Sequence, residues 1–303
     1  MRLFRKKPPF TKRIIIEPPE PSPEREGVAI AVHLKNEEKY VAEWAKFHRA
    51  VGITHFVVYD NGCTDRTLAV LREALPEDSL TVIPWKFRLH DVTNDQTLNS
   101  QVVAFAHAIL NYGPRFRWMA FIDVDEFLLP KQGRTVEEAL QGAKEFPNIS
   151  LPWHMFGTSG HKKRPSGPVT SNYTMRASDP MSRLKNISNF KCIVDPCAIS
   201  EVSVHHFLTR QYGDLTSNDA GLVVPRSERR SPEFYSSKFL QLNHYYTKSE
   251  EEFLNKIKRG PASPATMKRY SDRLNIAIDN IHQIQVEDDG MIKFINDNGI
   301  SVS

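Results

Sequence analysis

Long apolar runs are missing from this chain. No stretch approaches the roughly 20 residues that a helix needs to span a membrane, and the first residues lack the apolar segment that directs secretion. Residence in the compartment of synthesis, a cytoplasmic location, is therefore the expectation. Cysteine is scarce too: Cys63, Cys192 and Cys197 are the only three. An odd number leaves at least one thiol unpaired and no spacing matches a zinc site, so reduced thiols in a cytosol are expected rather than a disulfide framework. The glycine patterns that cradle phosphates are absent as well. No Gly-x-Gly-x-x-Gly follows the first apolar run and there is no Gly-x-x-x-x-Gly-Lys-Ser/Thr, which disfavours a dinucleotide oxidoreductase and a P-loop enzyme. The formal charge of +4 is small for 303 residues, so composition does not call for nucleic acid. No internal repeat is visible.

Much of the charge excess gathers at the start. Arg2, Arg5, Lys6, Lys7, Lys12 and Arg13 cluster with no acidic residue among them, and Pro8, Pro9, Pro18, Pro19, Pro21 and Pro23 deny the segment a helix. Residues 1–26 read as an extended basic arm suited to peripheral contact with an anionic membrane surface. From Gly27 the pattern changes. Residues 28–34 form a short unbroken apolar run, as expected of a strand buried on both faces of a parallel sheet. Tyr40, Val41, Trp44, Phe47 and Val51 then recur at helical spacing until Gly52 stops them. A strand at 53–59, a helix through Leu68, Leu71 and Leu75, a strand at 80–85, a helix over 95–112 and a fourth strand at 117–122 follow. This alternation predicts an α/β fold, a doubly wound and mainly parallel sheet flanked by helices.

Further on, Thr135-Val136-Glu137-Glu138 is a capping box for a helix to about 146, and a strand returns at 149–153. Periodicity weakens over 157–232, which reads as loops and short strands forming a loop-rich acceptor-side lobe or lid, with 202–207 a strand within it and 239–246 another beyond it. Ser249 caps a helix that Gly260-Pro261 stops. Met267, Tyr270, Leu274, Ile278 and Ile281 mark a last helix, so residues 27–260 are expected as one domain and 261–303 as a helical extension packed on it.

In such sheets ligands bind outside the carboxyl ends of strands. Three polar clusters fall there: Lys35-Asn36-Glu37, Asp60-Asn61 and Asp123-Val124-Asp125. The last is the most informative, because it sets two carboxylates two residues apart at the end of an apolar run. A continued strand would put both on one side, and a tight turn would also let both reach one divalent cation. Mn²⁺ or Mg²⁺ prefers oxygen ligands, keeps several waters and shares a diphosphate readily, so a bare carboxylate pair suits a nucleotide-linked substrate. The plainer alternative is a solvated strand end. Asp65 likewise reads as a helix N-cap, and Glu126 as a side chain turned away from the pair.

These blocks carry a resemblance. Val32-His33-Leu34-Lys35-Asn36-Glu37, Glu43-Trp44, Phe47-His48, Gly52 to Phe56 and Tyr59 to Asp65 resemble the start of the GT-A glycosyltransferases of family 2, and more closely the family 92 branch, also known as domain of unknown function 23. Residues 118–127 look like that branch's Asp-x-Asp-Glu-Phe motif, and Asn243 to Ser249 with Arg259-Gly260 look like its C-terminal signature. The blocks run in order over about 27–260. Gly62-Cys63 departs from the usual small residue and serine, and 177–199 aligns loosely.

The resemblance implies a GT-A fold and a metal-dependent, inverting transfer of a sugar from a nucleoside diphosphate, UDP-linked, to a glycan or glycolipid hydroxyl. It makes Asp123 and Asp125 the catalytic and metal-binding pair, Asp125 as direct ligand and Asp123 towards the ribose or the metal through water, with His244 or His206 as third ligand. Lys35, Asn36, Glu37, Asp60, Asn61, Gln101 and Lys191 are its expected nucleotide-sugar contacts, and Arg183 and Lys185 further basic candidates. For the base, Glu201, Asp214 and Asp219 are open choices. The competing readings are a haloacid dehalogenase-type phosphatase, which also sets Asp-x-Asp after a strand, and a catalytically inactive carbohydrate-binding module.

Overall fold

The computed structural model describes residues 10–143, 145–259 and 267–302; Arg2, Arg5, Lys6, Lys7 and the Gly260-Pro261 stop lie outside the described residues. The centre is a ten-stranded mixed sheet. Unbroken apolar runs make β1 (Val28–Leu34), β2 (Ile53–Asp60) and β3 (Leu80–Pro84), which pair in parallel, while β4 (Trp118–Phe121) joins the other side of β1, also in parallel. The spatial order β3-β2-β1-β4 reverses between β1 and β4, and such a reversal opens a crevice outside the carboxyl ends of those strands. Alternation along β1 sorts the core into two layers. Val28, Ile30 and Val32 share a cluster with Trp44 and Phe47 of α1 (Val41–Ala50) and Leu71 of α2 (Thr67–Ala74). Ala29 and Ala31 belong to the opposite layer, with Val102, Phe105 and Ile109 of α3 (Ser100–Tyr112).

Past β4 the sheet becomes mixed and curls. A turn leads into β5 (Glu126–Pro130), the short helix α4 (Val136–Leu140) follows, then come β6 (Asn148–Met155), β7 (Phe190–Val194) and β8 (Leu240–His244), and two short strands beside β6, Leu215–Ser217 and Val223–Pro225, make up the ten. β7 lies antiparallel between β4 and β6; β6 pairs in parallel with β8, and β8 antiparallel with β5. The path β4-β7-β6-β8-β5 thus comes back to the turn that joins β4 to β5. That turn is the acidic stretch, closed by the Glu126 N–H donating to the Asp123 carbonyl at 3.0 Å.

Both capping boxes form, Thr135 with Glu138 and Ser249 with Glu252, the latter opening α5 (Glu250–Arg259). Beyond it α6 (Met267–Gln283) buries Leu274, Ala277 and Ile281, the strand Gln285–Glu287 pairs with Met175–Ala177, and α7 (Gly290–Asp297) follows. Three expectations change. The helix foreseen from 95 starts at Ser100, because Asn99 caps it by accepting from the N–H groups of Gln101 and Val102, and 90–98 is instead a short hairpin. The run 202–207 is not one strand but the turn of a hairpin, Ile199–Val202 with Phe207–Thr209. The lobe read as loops and short strands contributes β7, a fully buried strand, to the middle of the central sheet. The described part of the arm is extended and docked: Phe10–Thr11 pairs with Gln96–Leu98, Ile14–Ile15 pairs with Ile199–Val202, and the Arg25 guanidinium grips Asp195 at 2.6 and 2.9 Å.

His48 ties α1 to β5. Its Nδ1 donates to the Trp44 carbonyl at 2.8 Å while Nε2 accepts the Leu128 N–H at 3.2 Å, an arrangement only neutral imidazole can make. Burial pushes its pKa down to about 3. The unfolded chain therefore binds a proton below about pH 6.5 that the folded chain refuses, so stability is full above that pH and falls as pH drops towards 3. Urea titrations should show a loss of about 2 kcal/mol from this residue between pH 7 and pH 5. His48→Gln should be less stable at pH 7 yet lose less on acidification; an unchanged pH slope would remove His48 from the account.

Candidate active site

A cleft of about 630 Å³ opens at the β1/β4 crevice, and Lys35, Glu37, Gln101, Asp123, Asp125, Arg183, Lys185 and His244 of the sequence-derived candidates line it. Its floor is the acidic turn. Asp123 accepts from Gln101 Nε2 at 3.0 Å and from the buried ammonium of Lys191 at 2.8 Å. Burial works against its charge, but the Lys191 ammonium outweighs it, so the carboxyl stays below its usual range. Glu126 lies wholly buried beneath: Oε2 accepts the Asp123 N–H at 2.8 Å and stands 3.6 Å from Lys191 Nζ. Burial, reinforced by the charges of Asp123 and Asp125, raises the Glu126 carboxyl well above its usual range despite Lys191. It lies under an anionic pair, an environment that favours its protonated form.

Asp125 emerges on the other side of the turn, where the β5/β8 register sets Glu126 opposite His244 and the Tyr245 N–H donates to the Asp125 carbonyl at 2.8 Å. His244 Nε2 thereby comes within 3.4 Å of Asp125 Oδ1, and Lys256 Nζ of α5 donates to Oδ2 at 3.3 Å. Burial opposes the Asp125 charge, yet Lys256 and His244 hold the carboxyl well below the usual range. Burial lowers the His244 pKa in turn, against the pull of Asp125, keeping the imidazole neutral.

The fit to a divalent cation can be tested on these atoms. Among the described residues no group of three or more His, Cys, Asp or Glu side chains is gathered closely enough to hold a metal, and Asp123 is engaged by Lys191 and Gln101. Asp125 and His244 do fit as a pair: a carboxylate oxygen and a neutral imidazole nitrogen 3.4 Å apart have about the separation of neighbouring ligands on one ion. His244 Nδ1 is buried without a partner, 3.8 Å from Glu126 Oε1, which is also buried without one. A small turn of the ring would join the two, fixing Nε2 towards Asp125 in the way that outer carboxyl groups orient metal-binding histidines.

Other candidates fall elsewhere. Asn36, at φ 57°, is tied to the loop after β2, accepting the Thr64 N–H at 2.8 Å, and Asp60 accepts the Cys63 N–H at 2.7 Å within that loop. Neither these two nor Asn61 lines the cleft, the side chains of Asn36 and Asp60 being spent on the loop after β2. Asp65 accepts from the Thr67 and Glu38 N–H groups, but Arg66 occupies the N-cap of α2, so Asp65 lies one position outside the helix and is not the cap expected. His206 is outside the cleft with Nε2 buried and unpartnered, whereas its neighbour His205 lines it, Nδ1 donating to the Phe190 carbonyl at 3.0 Å. Glu201 faces Arg13, and Asp219 accepts the Phe239 and Leu240 N–H groups; with Asp214 they all lie off the cleft. The sequence reading missed Trp153, His205, Tyr246, Lys256, Arg230 and Arg273. Trp153 carried a signal, since it closes an expected strand at the same sheet edge; the two arginines carried none.

The sequence profile of glycosyltransferase family 92 matches residues 28–278. The chain belongs to glycosyltransferase family 92. Among the family 92 relatives, one from Ricinus communis is 27% identical over 246 residues, covering 78% of this chain and 38% of the relative, and one from Oryza sativa subsp. japonica is 28% identical over 205 residues, covering 65% and 32%. The chain thus spans well under half the length of these relatives. Among solved structures, S. aureus TarS 1–349 in complex with UDP superposes with a TM-score of 0.35 at 16% identity, covering 84% of this chain and 70% of that one. Glucosyl-3-phosphoglycerate synthase from Mycobacterium tuberculosis, in complex with Mn²⁺, UDP and glucosyl-3-phosphoglycerate, gives 0.29 at 13%, covering 42% and 44%. Both likenesses are too distant to carry a substrate. The mixed sheet with its flanking helices agrees with the α/β architecture expected from the sequence, and family membership sets the phosphatase alternative aside.

Lys191 is the buried cation on which this family 92 site is built. Lys191→Met should lower stability by about 1–3 kcal/mol in urea at pH 7, by removing a charge-assisted hydrogen bond from Asp123. An unchanged midpoint would show that the ion pair contributes nothing net.

Proposed function

We propose that the chain moves a sugar from a nucleoside diphosphate donor, UDP-linked, to a glycan or glycolipid hydroxyl with inversion at the anomeric carbon. The observation that carries this reading is the acidic turn at the β1/β4 crevice, its two carboxylates kept ionised by Lys191 and Lys256 at the edge of a cleft. Asp125 and His244 would hold a divalent cation, Mn²⁺ or Mg²⁺, which when bound neutralises charge on the leaving diphosphate. Lys256 adds a permanent positive charge at the same point, since its Nζ lies beside Asp125. Lys191 and Gln101 hold the Asp123 carboxylate still, ready to accept from ribose hydroxyls.

Trp153 and Tyr246 flank His244, with ring centroids 4.5 and 5.2 Å from it, and offer aromatic faces to a sugar ring. Proton removal falls to a group in the cleft. None of Glu201, Asp214 and Asp219 lines it, while His205, whose Nδ1–H is committed to the Phe190 carbonyl, keeps Nε2 as an acceptor.

The test is Mn²⁺-dependent release of UDP across a panel of UDP-sugars. Asp125→Ala should reduce turnover about a hundredfold or more while far-ultraviolet circular dichroism stays native. His244→Ala should raise the Mn²⁺ concentration needed. Undiminished turnover by the Asp125 variant would remove that carboxylate from the mechanism.

A further inference from the structure

We propose that the acceptor is an anion, a glycan carrying carboxylates or phosphates close to the hydroxyl that is glycosylated. This rests on the transferase reading and names the substrate class of its second subsite. Strand order divides the cleft. Lys35 follows β1 and Asp123 follows β4, so the nucleoside and diphosphate belong over that pair. β7 and β6 lie on the far side of β4, and both bring residues to the same edge: β7 enters there through 183–189, and β6 carries Trp153, whose N–H donates to the Asn189 carbonyl at 3.0 Å. At about 4.8 Å per strand, that wall stands roughly 10 Å beyond the acidic turn, on the sugar and acceptor side.

The far wall is cationic without compensation. Arg183, Lys185, Arg230 and Arg273 line it exposed, and among the described residues none has a carboxylate partner. The cleft's carboxylates are Glu37 on the β1 side and the acidic pair, whose members already have Lys191 and Lys256. Behind the wall stands a second, independent feature. Arg229 is only 6% exposed and is held by neutral groups: it donates to the His205 carbonyl at 2.8 Å and to Ser150 Oγ at 3.3 Å, and lies over the Phe190 ring at 4.4 Å. A buried guanidinium with no counter-charge is costly, and burial pulls its pKa down to about 10. Such a charge projects its field into the cleft through His205, which it holds by the backbone. A neutral acceptor gains nothing from it. An acceptor with its own negative charge is drawn by that field and pairs with the exposed Arg183, Lys185, Arg230 and Arg273 of the wall.

The experiment uses the purified chain with whichever UDP-sugar supports UDP release, and acceptors in matched pairs: an oligogalacturonide and its methyl ester, and a phosphorylated mannan oligosaccharide and its phosphatase-treated form. The anionic member of one pair should exceed its neutral partner in kcat/KM by about tenfold or more, with that advantage shrinking severalfold between about 50 and 300 mM NaCl. The pair that responds distinguishes carboxylate from phosphate. The double variant Arg183→Gln/Arg230→Gln should bring the ratio towards one through the acceptor KM rather than through kcat. Equal or better use of the neutral members, no stimulation of UDP release by either anion, or an unchanged ratio in the variant overturns the inference, while UDP release itself leaves the transferase reading standing. No UDP release from any donor overturns both.

Discussion

One buried ammonium holds the centre of this molecule together. Lys191 is 1% exposed, and a lysine in that position is tolerable only if its charge is met. Asp123 meets it at 2.8 Å, and Glu126 stands close by at 3.6 Å. The three residues belong to β7, to the turn after β4 and to the start of β5, so their contact fastens the two limbs of the curled sheet where they come back together. Remove the charge and the turn loses the anchor that keeps Asp123 ionised and pointed; remove the turn and a charge is stranded in the core. Stability and chemistry share the same atoms.

From that anchor the rest of the site follows by register. Because β5 starts at Glu126 and pairs antiparallel with β8, His244 is delivered opposite Glu126 and beside Asp125. Because Ser249 opens α5, Lys256 comes two turns along to reach the same carboxylate. The outcome is a central pair of carboxylates flanked by ammonium groups, with Glu126 buried below. Burial, reinforced by its two acidic neighbours, raises the Glu126 carboxyl well above its usual range.

The parts legible in the chain were those whose signal is local. The unbroken apolar runs of β1 and β2, the Asp-x-Asp at the end of β4, and the capping boxes at Thr135 and Ser249 each lie within a few residues of sequence, and each appears where expected. β7 was hidden for a physical reason. Its run Phe190-Lys191-Cys192-Ile193-Val194 contains the lysine that the acidic turn needs, and a charge inside a short apolar stretch reads as a surface loop. The start of α3 was misplaced for the opposite reason: polar residues from 95 onwards are compatible with a helix, and only the Asn99 side chain, turned to accept two N–H groups, says where it begins.

What the order of residues decided, then, was the kind of scaffold and the acidic turn at its working edge, because apolar periodicity and a carboxylate pair are written in neighbouring positions. What only the folded chain decided was which distant groups meet there. His205 rather than His206 lines the cleft since a hairpin turn, not a continuous strand, presents them, and Lys191, Lys256, Trp153 and the arginines of the far wall arrive from five separate stretches. Strand order and register brought them to one edge, and those depend on how burial is satisfied over the whole sheet at once.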